Sequence, residues 1–192
     1  YRLGGRGVWF DKARRHDDPV APVAWEQALK TGMYVLDDHG RLLPAIRDTV
    51  RLCADHGVAL SFGHLSPQEM DAMAEEVGAL GFRGAFIDHP FCEVFEFDVP
   101  KMTRWADAGV RFALTWDELS PLLGVDTQDM VAAIRAIGPE HFMLSSDAGI
   151  PLLPQTVEAY RLLAAMLRAY GMTEVEMRQL MTGSAKEMLT LS

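Results

Sequence analysis

The chain has 192 residues, 49% of them apolar and 23% charged, with a formal net charge of −9. That length gives one domain with a sizeable core, and an acidic body without basic clusters argues against nucleic acid or an anionic membrane as partner. No run of about 18 apolar residues exists to span a bilayer, no signal-peptide pattern opens the chain, and two cysteines, Cys53 and Cys92, make no disulfide framework, so the expected compartment is the reducing cytosol.

Taken in order, residues 7–10 read as a short apolar strand after a Gly-rich lead. Residues 11–43 read as an insertion at the polar end of that strand: a charged loop, a short helix over 24–30, and a hairpin with arms 34–36 and 41–43. The turn between the arms, Asp37-Asp38-His39-Gly40, has the short polar side chains and the glycine that tight turns use. From Pro44 the rhythm becomes regular. Helices are expected over 44–56, 67–80, 99–108, 117–123, 127–137, 155–170 and 174–190. Several carry start and stop signals, such as Ser66-Pro67-Gln68-Glu69 before one helix and Gly81 after it. Strands are expected over 58–63, 83–88, 110–115 and 141–146. Short-looped alternation of strand and helix predicts an α/β fold with a parallel sheet, five core strands in all. The methionines at helical spacing (Met166, Met172, Met177, Met181) read as core filler.

Three of these strands run into groups that bind metals. Ala59-Leu60-Ser61-Phe62-Gly63 delivers His64, Gly84-Ala85-Phe86-Ile87-Asp88 delivers His89, and Phe142-Met143-Leu144-Ser145-Ser146 delivers Asp147. Alone, each reads as easily as a structural histidine or a turn aspartate. Together they gain weight, because the carboxyl ends of parallel strands share one rim, where ligands sit in α/β proteins. Imidazole and carboxylate suit Zn²⁺, Fe²⁺ or Mn²⁺. His16 is placed to reach the same rim or to be solvated; His39, His56 and His141 read as structural. Cys92 reads first as a small buried residue near the site, Lys12 as solvated, and Trp116 with Asp117 as a pocket wall, Asp117 being equally a helix N-cap.

With His, His and Asp at strand ends in this order, the chain resembles the metal-dependent amidohydrolase superfamily. It is most similar to the branch of aminocarboxymuconate-semialdehyde decarboxylase-like proteins. The stretches that carry the resemblance are Ser61-Phe62-Gly63-His64-Leu65-Ser66, Ile87-Asp88-His89-Pro90 and residues 138–147, over a similarity that runs from 58 to 191. Near the end, Gly183-Ser184-Ala185 stands where the family often has Asn-Pro-Ala or Asn-Ala-Ala. The resemblance implies a (β/α)₈ TIM-barrel fold in which 7–10 is strand four and His64, His89 and Asp147 end strands five, six and eight. It implies metal ligation by His64, His89 and Asp147, catalysis by Asp147 as general base and His89 as carbonyl polariser, and Zn²⁺ as the cofactor. The family's first-strand His-x-His is absent from the sequence, so the chain is expected to be an incomplete barrel, strands four to eight, in one domain over 1–192.

The expected activity is that of a hydrolase that activates water against an amide, ester or lactone of a small molecule. A metal-dependent decarboxylase on the same scaffold and a non-catalytic, barrel-derived binding domain are the alternatives, and a homo-oligomer is a possible assembly. A doubly wound open sheet fits less well, because no Gly-rich phosphate loop follows any strand.

Overall fold

The computed structural model describes residues 34–92, 98–149 and 151–189. Strand 7–10, the insertion as far as residue 33, and with them Lys12 and His16, lie outside the described residues. Of the insertion, the hairpin turn is described: Leu36 and Leu42 form an antiparallel bridge. The Asp37 carboxylate closes that turn by accepting from the backbone N–H of His39 at 2.9 Å and of Arg41 at 3.0 Å.

Local signals set the helix ends. Helix α1 (Pro44–Asp55) starts on a proline, whose fixed φ and missing N–H suit a first turn. Helix α2 (Pro67–Leu80) has both halves of a capping box. The Ser66 hydroxyl accepts from the Glu69 N–H at 3.2 Å, and the Glu69 carboxylate accepts from the Ser66 N–H at 2.9 Å. It stops at Gly81, whose φ of 62° is the left-handed conformation that a glycine adopts without a Cβ clash. Helix α3 (Val99–Asp107) is capped by the Asp98 carboxylate, which accepts from the Lys101 N–H.

Strands β1 (Leu60–Ser61), β2 (Ala85–Asp88), β3 (Arg111–Leu114) and β4 (Phe142–Leu144) form one parallel sheet in the order β1-β2-β3-β4. Parallel neighbours need a crossover. Here α2 links β1 to β2 and α3 links β2 to β3. Two helices, α4 (Trp116–Leu119) and α5 (Thr127–Ile137), with a 3₁₀ turn over Pro139–His141, link β3 to β4. After β4 come α6 (Thr156–Ala169), α7 (Glu174–Arg178), a π-helical turn (Gln179–Gly183) and α8 (Ser184–Leu189).

Side chains alternate along a strand, so the sheet has two faces. Ala85, Ile87, Phe112, Leu114 and Phe142 belong to the buried core that the helices cover. Phe112 and Phe142 are partners in register, with ring centroids 5.2 Å apart. The opposite, inner face holds a small cluster of Phe86, Ala113 and Met143, closed by Ala185 and Met188 of α8. Arg111, on the same face, donates to the Arg83 carbonyl at 2.6 Å and pairs with Glu187 of α8 at 3.5 Å.

The observed strands are shorter than the apolar runs that mark them. Val58 and Ala59 continue the pattern of β1, but the ladder there starts at Leu60. The helix expected over 117–123 spans only Trp116–Leu119, and the one expected over 174–190 is interrupted by the π turn. Met172 and Met177 are core residues as read from their spacing; Met181 is exposed, because the π turn shifts the register of the final helix.

Candidate metal centre

His64, His89 and Asp147 all sit at the carboxyl ends of strands, and all three have left-handed backbones, with φ of 63°, 39° and 44°. They are the non-glycine residues with positive φ among the described residues. L-residues avoid this region, and strain of this kind collects where a side chain has to be aimed. His64 follows β1 just before the Ser66 cap of α2. His89 is held at the end of β2 by its N–H, which donates to the Ala113 carbonyl of β3 at 2.9 Å. Below them, the Ser61 hydroxyl donates to the Asp88 carboxylate, joining β1 to β2.

The aiming brings the two rings together. Nε2 of His64 lies 3.0 Å from Nε2 of His89, with ring centroids 4.4 Å apart and planes at 63°. Two imidazole nitrogens that share a Zn²⁺ at about 2.0–2.1 Å each stand roughly 3–3.5 Å from one another, so this spacing suits a shared cation. His64 is exposed, whereas His89 is 5% exposed. Partial burial, and then the neighbouring His89, lower the pKa of His64, leaving its ring neutral and able to ligate near pH 7.

Both histidines open onto a cavity of about 300 Å³, whose described walls also include Cys92, Asp117, Asp147 and the leucines Leu122, Leu123 and Leu153. Asp147 is therefore on the same cavity as the pair. It does not close on them: among the described residues no three His, Cys, Asp or Glu side chains converge into a metal-holding group. The structure thus brings two of the three expected ligands into contact and places the third on the wall of the same cavity, outside any group of three. In donor type, two imidazoles and a carboxylate fit a divalent transition metal; in number, the described residues supply part of a shell.

Asp117 lines the cavity and is not the N-cap of α4. That role belongs to Thr115, in a capping box with Glu118. Trp116 packs against the core instead of lining the cavity. Glu118 is fully buried and ties two site-bearing loops together: its carboxylate accepts from the Phe91 N–H at 2.6 Å and from the Thr115 N–H at 2.7 Å. Burial pushes its pKa up to about 8, against the pull of those two N–H donors. The Thr115-x-x-Glu118 spacing was a signal in the sequence for this carboxylate; nothing there marked the leucines. The other described histidines do not line the cavity: His39 is in its turn, His56 at the end of α1, His141 at the amino end of β4.

A family profile described as a family of unknown function, DUF6282, matches residues 1–113, more than half of the chain and including both histidines. The chain belongs to that family. No curated protein matches its sequence. Two solved structures share its fold. One is a metallopeptidase from Rhodobacter sphaeroides bound to a phosphinate mimic of the dipeptide L-Ala-D-Ala: 19% identical, TM-score 0.59, covering 78% of this chain and 46% of that one. The other is described as dipeptidase AC, a metallopeptidase of family M19: 19% identical, TM-score 0.60, covering 79% of this chain and 49% of that one. This chain therefore spans about half the length of each. The α/β fold with a parallel sheet, read from the sequence, is the fold these structures share in part. Among the described residues no helix is long and apolar enough to cross a membrane.

Proposed function

We propose that this chain carries part of the active site of a metal-dependent hydrolase, in which His64 and His89 hold a divalent cation, most simply Zn²⁺, and Asp147 serves it from the wall of the same cavity. The observation that carries this reading is the 3.0 Å approach of the two Nε2 atoms, on backbones strained to positive φ. The scaffold is then strands four to eight of a (β/α)₈ barrel of the amidohydrolase type, with the catalytic rim at the carboxyl ends. The described sheet is compatible with such an arc, and the structural neighbours, both described as metallopeptidases, support hydrolysis of an amide-like bond.

A bound cation supplies Lewis acidity and lowers the pKa of a water on it toward about 7. The protein's own part begins with the two imidazoles, whose Nε2 atoms would hold the cation. The Asp147 carboxylate accepts the proton of the attacking water and then delivers it to the leaving group. His89, 5% exposed, sits deeper than His64 and is the ring placed to polarise a substrate carbonyl. Leu122, Leu123 and Leu153 form the apolar part of the wall and limit the water that reaches the bond. The cavity suits a small substrate, of the size of a dipeptide or a lactone.

The test is titration of the chain with Zn²⁺ and Mn²⁺, then hydrolysis assays on dipeptides and lactones. The expected result is metal binding that His64→Ala and His89→Ala each abolish, with Asp147→Asn retaining metal and losing turnover. Metal binding that survives both histidine substitutions overturns the assignment. Release of CO₂ from aromatic or dienoic acids, without hydrolysis, would replace the hydrolase by a decarboxylase on the same residues.

A further inference from the structure

Asp117, just beyond the carboxyl end of β3, is a buried carboxylate on the cavity wall that the hydrolytic steps leave unused. It is 9% exposed, and its Oδ1 is buried without a hydrogen-bond partner among the described residues. Capping α4 does not account for it, because Thr115 and Glu118 do that. Burial pushes its pKa up, against the pull of the Thr115 side chain; the charge of Asp147 adds to the rise and that of His89 opposes it. A buried acceptor left unpaired is costly, and more so on an ionised group. On the wall of a cavity, such an atom points to a donor that the protein does not itself supply.

The rest of the wall gives that donor its charge. Among the described residues that line the cavity, the acids are Asp117 and Asp147, and there is no lysine or arginine. Asp147 acts on Asp117 as a like charge. A cationic group entering beside Asp117 relieves that repulsion, whereas a substrate carboxylate would meet two groups of its own sign. Leu122, Leu123 and Leu153 make much of the remaining wall apolar, and in such surroundings a charged hydrogen bond gains strength. We propose that Asp117 selects the substrate: its carboxylate accepts from a protonated amine, so that the cavity takes a small aminoacyl amide with an apolar side chain and no carboxylate of its own. This rests on the hydrolytic reading for its purpose and narrows it. The two acids then divide the work, Asp147 serving the attacking water and Asp117 the amine.

The test measures binding to the metal-free full chain, by ligand-observed nuclear magnetic resonance, and needs no turnover. L-leucine amide carries the amine and an apolar side chain. Isocaproamide is the same skeleton without the amine, and isocaproate carries a carboxylate instead. Leucine amide is expected to bind about ten- to a hundredfold more tightly than isocaproamide, the worth of one hydrogen bond to a charged group, with isocaproate the weakest of the three. Asp117→Asn, which keeps the shape and loses the charge, should remove the preference for the amine; Asp147→Asn should keep it. Far-ultraviolet circular dichroism identifies which variants are folded, and if Asp117→Asn is not, Asp117→Ala decides. Equal binding of the two amides by the unsubstituted chain, a preference that survives in a folded Asp117 variant, or one lost in Asp147→Asn alone overturns the proposal. A Zn²⁺ titration of the same samples keeps the two readings apart. An amine preference in a chain that binds no Zn²⁺ would sink the metal reading and leave this one standing; Zn²⁺ binding with no amine preference would do the reverse.

Discussion

On the outer face of the sheet, Phe112, Leu114 and Phe142 are completely buried beneath helices. On the inner face and its carboxyl rim, the chain instead keeps Ser61, Asp88, three residues in left-handed conformation and an unpaired carboxylate oxygen. Each strained backbone costs about 1–2 kcal/mol. The same strands build both faces, one residue apart. What differs is whether the alternate position is asked to exclude water or to hold a group out for chemistry, and the contrast says that the stability of this fold is drawn from one side and its reactivity from the other.

Breaking the outer face has the largest expected effect. Phe112→Ala should cost about 3–5 kcal/mol in urea unfolding, since a fully buried ring is lost from a packed core. A much smaller cost would show that the helices relax onto the sheet. At the rim, the sign should reverse for the right substitution. His64→Gly should be more stable than His64→Ala by about 1 kcal/mol, because glycine accepts a φ of 63° and alanine does not, while neither binds metal. Equal stability would remove the case for stored strain.

A pH series sharpens the comparison at the seam between the two faces. Glu118 has a folded pKa raised from 4.5 to about 8 by burial. Its native form therefore holds a proton more tightly than the unfolded chain does, and the associated stability is complete below about pH 4.5 and lost as pH rises through about 8. Asp117, also raised by burial, adds in the same direction, whereas His64, lowered by burial, acts oppositely just below pH 6.5. Urea unfolding at pH 6 and pH 9 should show the loss, and Glu118→Gln should flatten it. Last and smallest, Val157→Ala on the exposed side of α6 should change stability by less than about 0.5 kcal/mol, since that side chain is 82% exposed.

The order of helices and strands from Pro44 onward could be read from the residues because its signals are local. Ser66 with Glu69, Gly81, Asp98, and Thr173 with Glu176 act within one turn of chain. Strand lengths could not, since a ladder ends where its neighbour ends, and Val58 and Ala59 are apolar without being paired there. The π turn was also hidden: Thr182 bonds back to the Arg178 carbonyl in a stretch whose composition continues a helix. The meeting of His64 and His89 was legible because a histidine directly after an apolar run, in neighbouring parallel strands, comes to the same rim. The separation of Asp147 from that pair was not, for it depends on how the loop after β4 curls, where the Gly149 N–H donates to the Asp147 carbonyl at 3.0 Å. Asp117 was ambiguous until Thr115 was seen to cap the helix.

Helix α8 has a consequence for the motions of the molecule. It reaches from the far end of the described chain to Phe86 and Ala113, so its docking joins segments about a hundred residues apart in sequence. Such distant contacts form late in folding and open early in native fluctuations. Held to the sheet by the Arg111–Glu187 pair and a small apolar cluster, and to the 3₁₀ turn by the Ser184 hydroxyl, which donates to the Pro139 carbonyl, α8 should show faster amide exchange than β3, and each opening would briefly wet the underside of the sheet beneath the paired histidines.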